Sequence, residues 1–419
     1  MQRYHIAIAG CGPAGLAAAL LLAKQGHQIT IYDQFVKAGP VGSGLMLQPT
    51  GMAVLHKLGL ARKVAHSGAR IDGLYGEEEH SKVVLDARYS KLGVPNAFGL
   101  GIHRASLFDV LFQAAIALPI NFEAGREIAG SFTTSKGRCL VFGDGTHSSS
   151  YDLIVDASGR QTVFDEPGRG ALQFGALWAN VPIKPSDPFS GHLLEQRYRR
   201  AAQMVGVLPI GSRKDGVGPE AAFFWSLKQS DLPDWQSRPL DEWKAEVCAL
   251  WPQVEILLDR LEDRDQITFA SYSHRTLQPS VQDRLIAIGD AWHSASPQLG
   301  QGANMALLDA WSLARGMEQG RTLQEKLRLA VGWRYDHVWL YQWVTALFTP
   351  LYQSDTKWQP ALRDTLLYPI SKTWPASRIQ AQLMSGLFGF PLASLGLSVP
   401  DYSEIASFTA AIASSESHS

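Results

Sequence analysis

The residues of this chain best suited to chemistry lie between Gly289 and Asn304, which read GDAWHSASPQLGQGAN. An apolar run from Arg284 ends in Gly289-Asp290, and a short carboxylate at a strand end is suited to accept from a sugar hydroxyl. A loop with Pro297 follows, then Gly300 and Gly302, then a helix expected to begin near Ala303. Glycines at a helix start leave backbone N–H groups bare, where a phosphate or an electron-rich ring is favoured.

The elements that would position such a site begin at the N-terminus. Tyr4 to Asp33 reads as a strand, a turn with Gly10, Gly12 and Gly15, an apolar helix to Gly26, and a strand ending in an acid. Gly10 makes the tight turn, Gly12 admits a pyrophosphate, Gly15 (with Ala14 before it) lets the helix pack on the strand, and Asp33 receives a ribose hydroxyl. A Gly-x-Gly-x-x-Gly alone is a weak signal. Here the strand, helix and acid all fall where dinucleotide binding requires them.

With one motif near each end, the chain resembles the class A flavoprotein monooxygenases, the para-hydroxybenzoate hydroxylase-like aromatic hydroxylases. The resemblance rests on Gly10-x-Gly12-x-x-Gly15, Asp33, His103-Arg104-x-x-Leu107, Gly289-Asp290 and Pro297-x-x-Gly300-Gln-Gly302-x-Asn304, with a weaker echo in Phe348 to Asp364. It implies an α/β fold: a Rossmann-like FAD-binding domain, an inserted β-sheet substrate domain and a helical C-terminal region. It implies that the first motif holds the ADP half of FAD and that Gly289-Asp290 holds the ribityl and pyrophosphate region. The loop carrying Pro297, Gly300, Gly302, Ala303 and Asn304 would lie beside the flavin ring. Arg104 contacts FAD by the same resemblance. Gly42 and Gly44, in the Gly-rich loop after the first βαβ unit, and Ile128 are further cofactor-binding candidates.

The implied reaction is hydroxylation. FAD reduced by NADPH or NADH meets O2, and a flavin hydroperoxide passes its distal oxygen to a small aromatic or otherwise electron-rich apolar substrate. No second Gly-x-Gly-x-x-Gly exists for a nicotinamide domain, so the donor would bind transiently across the flavin. One segment departs from the family. In Asp152 to Phe164, Ser158 stands for the Asp of the usual Asp-Gly pair, Gly159 keeps the Gly, and Phe164 replaces a trailing Arg. Related halogenases and reductases show such an Asp-Ala-Ser-Gly, which keeps a non-hydroxylating FAD oxidoreductase open as an alternative. A non-catalytic flavin-binding protein is a second alternative. The halogenase Trp-x-Trp-x-Ile-Pro is absent. Arg160 is either a pyrophosphate contact or a solvated loop residue.

No protein nucleophile, metal cluster or acid/base dyad stands out, so the cofactor would carry the chemistry while the protein orients it. Pro297 beside the ring, and Tyr272 and His274 as partners of a substrate hydroxyl, are the catalytic candidates. His103, His274 and His293 lack ligand spacing and read as structural; no metal is expected. Phe223, Phe224 and Trp225 alternate faces of one strand, so Phe224 or the Phe223/Trp225 pair could face substrate, with core filling as the plainer alternative.

Composition bounds these readings. At 419 residues the chain exceeds one ordinary core. Its net charge of −1 gives no reason to expect nucleic acid. Cys11, Cys139 and Cys248 lack disulfide or zinc spacing, which fits a cytoplasmic setting. No apolar run reaches the roughly 18 residues of a membrane span. His337 to Leu351, rich in aromatics, reads as a helix buried against the flavin domain, with weak membrane-surface contact as the alternative. Oligomeric state is not readable. The expected FAD-binding domain is 1–73, 100–174 and 270–321, and the substrate domain is 74–99 and 175–269. A helical region over 322–413, broken at Pro350, Pro360, Pro369 and Pro375, precedes a frayed tail at 414–419.

Overall fold

The apolar run His5–Ala9 can be buried on both faces, and it becomes a central strand of a six-stranded sheet. Its order is Val281–Gln282, Leu285–Ala287, Leu153–Asp156, His5–Ala9, Gln28–Asp33, Ile120–Ala124. All neighbours are parallel except the two-residue edge strand Val281–Gln282. The helix Pro13–Lys24, apolar nearly all round, is packed between helices Arg104–Ile116 and Gly302–Gln319. The computed structural model describes residues 2–36, 43–166, 170–213, 218–278, 280–356 and 358–405.

A second sheet has seven strands, ordered Thr268–Ser273, Ala171–Pro182, Pro219–Lys228, Gln203–Ser212, Leu193–Arg199, Gly73–Glu78, Val83–Arg88. One face is covered by helices Leu232–Ser237, Leu240–Leu250 and Glu255–Leu258 around Leu177, Phe223, Trp225 and Trp243. The other face meets the unit built on the six-stranded sheet, the expected flavin-type unit, through Leu208, Ile210 and Ala222. The sheet starts at Ala171 and returns to Ser273, so both expected boundaries, 174/175 and 269/270, cut through its strands. The small sheet Gly44–Leu47, Gly99–His103, Ala69–Ile71 joins the two units. Gly44 is required there by close approach: a Cβ would lie 2.5 Å from Ile210 and 2.8 Å from Ala222.

The C-terminal region departs from expectation at Pro350. Leu323–Tyr352 is one continuous helix with Pro350 in its last turn, where the missing N–H removes a single bond next to the helix end. His337, Val338, Tyr341 and Val344 are buried on one side, while Tyr335, Trp339, Trp343 and Leu347 are exposed on the other. The expected burial therefore holds for only one face. Among the described residues, no helix is long and apolar enough to cross a membrane.

Candidate active site

At the N-terminal turn, Gly10 has φ +105°, its N–H donates to the Tyr32 carbonyl at 2.7 Å, and a Cβ would sit 2.5 Å from the Ala157 carbonyl. Only glycine fits there. Gly12 starts the helix with no side-chain cap and with nothing within 4 Å of where its Cβ would be, which leaves amides and space for a phosphate. Gly15 packs on the Gly10 carbonyl, and the Ala14 Cβ lies 3.2 Å from where a Cβ on Gly289 would be. Asp33 closes the turn: Oδ2 accepts from Cys11 N–H at 2.8 Å and Oδ1 from Phe35 N–H at 2.9 Å. Burial first, and Asp33 second, push the Cys11 thiol up to about 12, so it stays protonated. Arg126 N–H donates to the Asp33 carbonyl at 2.8 Å, which brings Ile128, half-buried against Tyr32, Phe142 and Tyr151, to the same end. Gly42 lies outside the described residues.

At the second motif, successive residues face opposite ways. Gly289 N–H donates inward to Asp309 Oδ2 at 2.9 Å, while Asp290 is exposed. A Cβ on Gly302 would lie 3.8 Å from Asp290 Oδ1, so the carboxylate stands over the start of helix Gly302–Gln319, which has no side-chain cap. Ala303 lies in the same open first turn. Pro297, itself exposed, opens the half-buried turn Pro297–Leu299, closed by Gly300 at φ +60°. Asn304 is fully buried. Its Oδ1 accepts from Gln48 N–H at 2.7 Å, and its Nδ2 donates to the Met46 and Gly300 carbonyls at 3.0 Å each. Its carboxamide is therefore committed to holding strand Gly44–Leu47 against the glycine loop. The bare amides at both helix starts, the open space at Gly12 and the acceptors Asp33 and Asp290 fit the pyrophosphate, ring and hydroxyls of FAD.

Behind the motif runs a buried charge network that sequence reasoning missed. Asp309 Oδ2 lies 2.6 Å from His293 Nε2, and Asp309 Oδ1 accepts from Arg334 Nε at 2.8 Å. Arg334 lies 2.6 Å from His337 Nδ1, and His337 Nε2 lies 3.1 Å from the Gly386 carbonyl. Arginine only donates, so His337 accepts at Nδ1 and donates from Nε2 as a neutral ring. Burial lowers its pKa, and Arg334 adds to that. For Asp309, burial pushes the pKa up, but His293 and Arg334 outweigh it and hold the carboxyl at about 2. Gln301 Nε2 donates to the Met384 carbonyl at 2.7 Å, so the C-terminal turn also braces the glycine loop. The available signal was a lone acid in an apolar helix, MALLDAWSLA.

The seven-stranded sheet supplies the facing wall. Trp178 and Phe224 are neighbours with ring centroids 4.8 Å apart, and Trp178 Nε1 donates to the Tyr272 hydroxyl at 2.9 Å. Burial raises the Tyr272 pKa to about 12 against the Trp178 bond and the charges of Arg104 and Arg160, so the phenol is neutral. Ser273 Oγ lies 2.7 Å from Ser294 Oγ, and Arg275–Thr276 pairs with His293–Ser294, which brings this strand to the Pro297 loop. His274 lies one residue past the strand; its N–H donates to the Gly170 carbonyl at 2.7 Å, and burial lowers its pKa. Trp225 corrects an expectation. It is 1% exposed among the covering helices, on the face turned away from the flavin-type unit, because alternation places it opposite Phe224. Trp178 and Asn180, which bonds Ser43, face the site and were missed.

Arg104 is exposed at the start of helix Arg104–Ile116, its N–H donating to the Ser43 carbonyl at 3.1 Å. Arg160 donates to the Ser271 carbonyl at 2.6 Å, a sheet contact. Asp156 is buried and accepts from Ser158 N–H at 3.1 Å and from Thr162, so Ser158 closes a turn on the strand-end acid. His103 pairs with Glu220 at 2.6 Å across the two units. Among the described residues, Glu78, Glu79 and His80 alone could share a metal ion; they lie at an outer hairpin, where Glu79 pairs with Arg199.

The family described as FAD binding domain matches residues 3–319. The chain is 25% identical to the 6-hydroxynicotinate 3-monooxygenase of Pseudomonas fluorescens, over 79% of this chain and 86% of that one. It is 25% identical to the 3-hydroxybenzoate 6-hydroxylase of Klebsiella oxytoca, over 74% and 79%. Among solved structures, a variant of 2-methyl-3-hydroxypyridine-5-carboxylic acid oxygenase superposes with TM-score 0.75 at 20% identity, covering 94% of this chain and 98% of that one. The chain thus belongs to the FAD binding domain family and is a class A flavoprotein monooxygenase.

Proposed function

We propose that the protein hydroxylates a small, already hydroxylated aromatic or N-heteroaromatic ring, with O2 and with NADH or NADPH as transient donor. The observation that carries the substrate class is the Trp178–Tyr272 pair beside the Pro297 loop. The Tyr272 oxygen accepts from the indole, so its own O–H is free to donate to a substrate hydroxyl. Trp178, with Phe224 behind it, offers the ring a flat apolar wall. FAD, when bound, supplies electron transfer from the nicotinamide and activation of oxygen. Gly12 and Gly15 amides hold its phosphates, Asp33 and Asp290 its hydroxyls, and Arg104 adds a positive charge. The amides of Gly302 and Ala303 would stabilise negative charge on the ring. The substrates named in the two relatives, 3-hydroxybenzoate and 6-hydroxynicotinate, support a hydroxylated ring. Three free cysteines support a reducing, cytoplasmic setting.

The test is anaerobic reduction of the FAD-loaded protein by NADH and by NADPH, with a panel of hydroxylated benzoates and pyridines. One ring compound should accelerate flavin bleaching and, on admitting air, gain one oxygen. If dithionite bleaches the flavin but no ring accelerates either nicotinamide, the substrate reading is wrong.

A further inference from the structure

Helix Leu323–Tyr352 presents Tyr335, Trp339, Trp343 and Leu347 at 50%, 57%, 55% and 53% exposure, each four residues after the last. The spacing repeats downstream in Trp358, Leu362, Leu366 and Ile370, and Trp374 follows at 79%. Twelve of the eighteen exposed large hydrophobic side chains among the described residues fall between Tyr335 and Phe390. Exposed apolar residues are normally scattered singly, so this concentration along the chain stands apart.

The chemistry of that face selects its occupant. Four of its side chains are tryptophans, whose rings are apolar and whose N–H wants a polar partner, a combination suited to the boundary between lipid tails and headgroups. Residues 337–354 contain no Asp, Glu, Lys or Arg. Around them, Asp355 is paired with Lys228 at 2.7 Å and Asp364 with Arg363 at 2.6 Å. Between residues 328 and 378, exposed Arg328, Lys372 and Arg378 make no ion pair among the described residues, against a single such acid, Asp336. An apolar aromatic face with a cationic surplus at its margin complements an anionic membrane surface. The face also ends at the candidate site: Thr349 Oγ1 lies 2.9 Å from Ser296 Oγ, beside Pro297, and the Tyr352 ring lies 5.5 Å from Tyr198, which clusters with Phe224.

We propose that this aromatic face docks the protein onto the surface of an anionic lipid bilayer, lying on it rather than through it. Docking there places the end of the helix, and with it the substrate wall, next to apolar compounds dissolved in the membrane. The docking itself is independent of which ring is hydroxylated.

The full-length, FAD-loaded protein is sedimented with phosphatidylcholine vesicles containing about one-third phosphatidylglycerol, and with phosphatidylcholine alone. It should pellet with the anionic vesicles, with a blue shift of tryptophan emission and weaker binding at high salt. The Trp339→Gln/Trp343→Gln/Trp374→Gln variant should keep its FAD and its melting temperature but bind at least about tenfold more weakly. Lys372→Glu/Arg378→Glu should lose the preference for anionic lipid, and Phe132→Gln, exposed elsewhere, should bind as wild type. A wild-type protein that stays in the supernatant, or a triple variant that binds undiminished, overturns the proposal. If the wild type instead doubles in mass by light scattering, without vesicle binding, the face belongs to a second copy and the proposal is again overturned.

Discussion

The two faces of the seven-stranded sheet are built from alternate residues of the same strands, yet they differ in kind. Toward the covering helices, Leu177, Phe223 and Trp225 are each 1% exposed or less and make a dry core with Trp243 of the helix Leu240–Leu250. Toward the flavin-type unit stand Trp178, Asn180, Phe224 and Tyr272, of which all but Phe224 are only part-buried and carry polar groups bonded across the site. The second motif repeats this division between neighbours, since Gly289 is tied inward to Asp309 and Asp290 is left open. A period of two lets one segment hold the fold with one residue and address a ligand with the next.

The contrast is most easily broken on the dry side. Trp225→Ala should lower stability in urea melts by about 3–5 kcal/mol while each folded molecule still binds FAD. Trp178→Ala should cost about 1–2 kcal/mol and act mainly on KM. Equal melts for the two would mean that the faces do not divide the work.

The support behind the glycine turn should be acid-labile. The Asp309 carboxyl, at about 2 in the folded protein against about 3.9 unfolded, contributes stability above the unfolded value and loses it as pH falls through 2. That loss amounts to about 2–3 kcal/mol. His337, held neutral, adds a loss that begins below its unfolded value of about 6.5. Stability measured between pH 7 and 2 should fall in the wild type and be flatter in Asp309→Asn, which should also be less stable at pH 7. A parallel fall in both proteins would place the acid sensitivity elsewhere.

On the open side, Asp290→Ala should weaken FAD binding by more than about tenfold, on the order of 1.4 kcal/mol, with little change in the apoprotein melt. Fluorescence titration with FAD reads the first and calorimetry the second. The smallest effect is expected for Tyr272→Phe, which removes the acceptor for the Trp178 N–H: about 0.5–1.5 kcal/mol in stability, together with a raised KM for the hydroxylated ring. An unchanged KM would remove Tyr272 from the substrate wall.

These residues were not equally legible in the sequence. The strand–turn–helix–strand at the N-terminus could be read almost residue by residue, because strand, turn, helix and acid lie within thirty-odd positions and their geometry is local. Contacts between distant segments could not: His103 with Glu220, Trp178 with Tyr272, Asp309 with Arg334, and His337 with the Gly386 turn depend on register and packing between separate elements. Alternation separated Phe224 from Phe223 and Trp225, but the sign was fixed by the helices at 232–258, which claimed one face. The four-residue spacing of Tyr335, Trp339, Trp343 and Leu347 marks a helix face without saying whether it turns inward.

The brace from Gln301 to Met384, 83 residues later, has a consequence for biosynthesis. The glycine turn at Gly10 emerges from the ribosome first, but the loop at Gly300 stays unbraced until Met384 has been made. The Gly300 loop therefore reaches its final form only after a segment 83 residues further on has been made, while the turn at Gly10 waits on no part of the chain beyond Gly300.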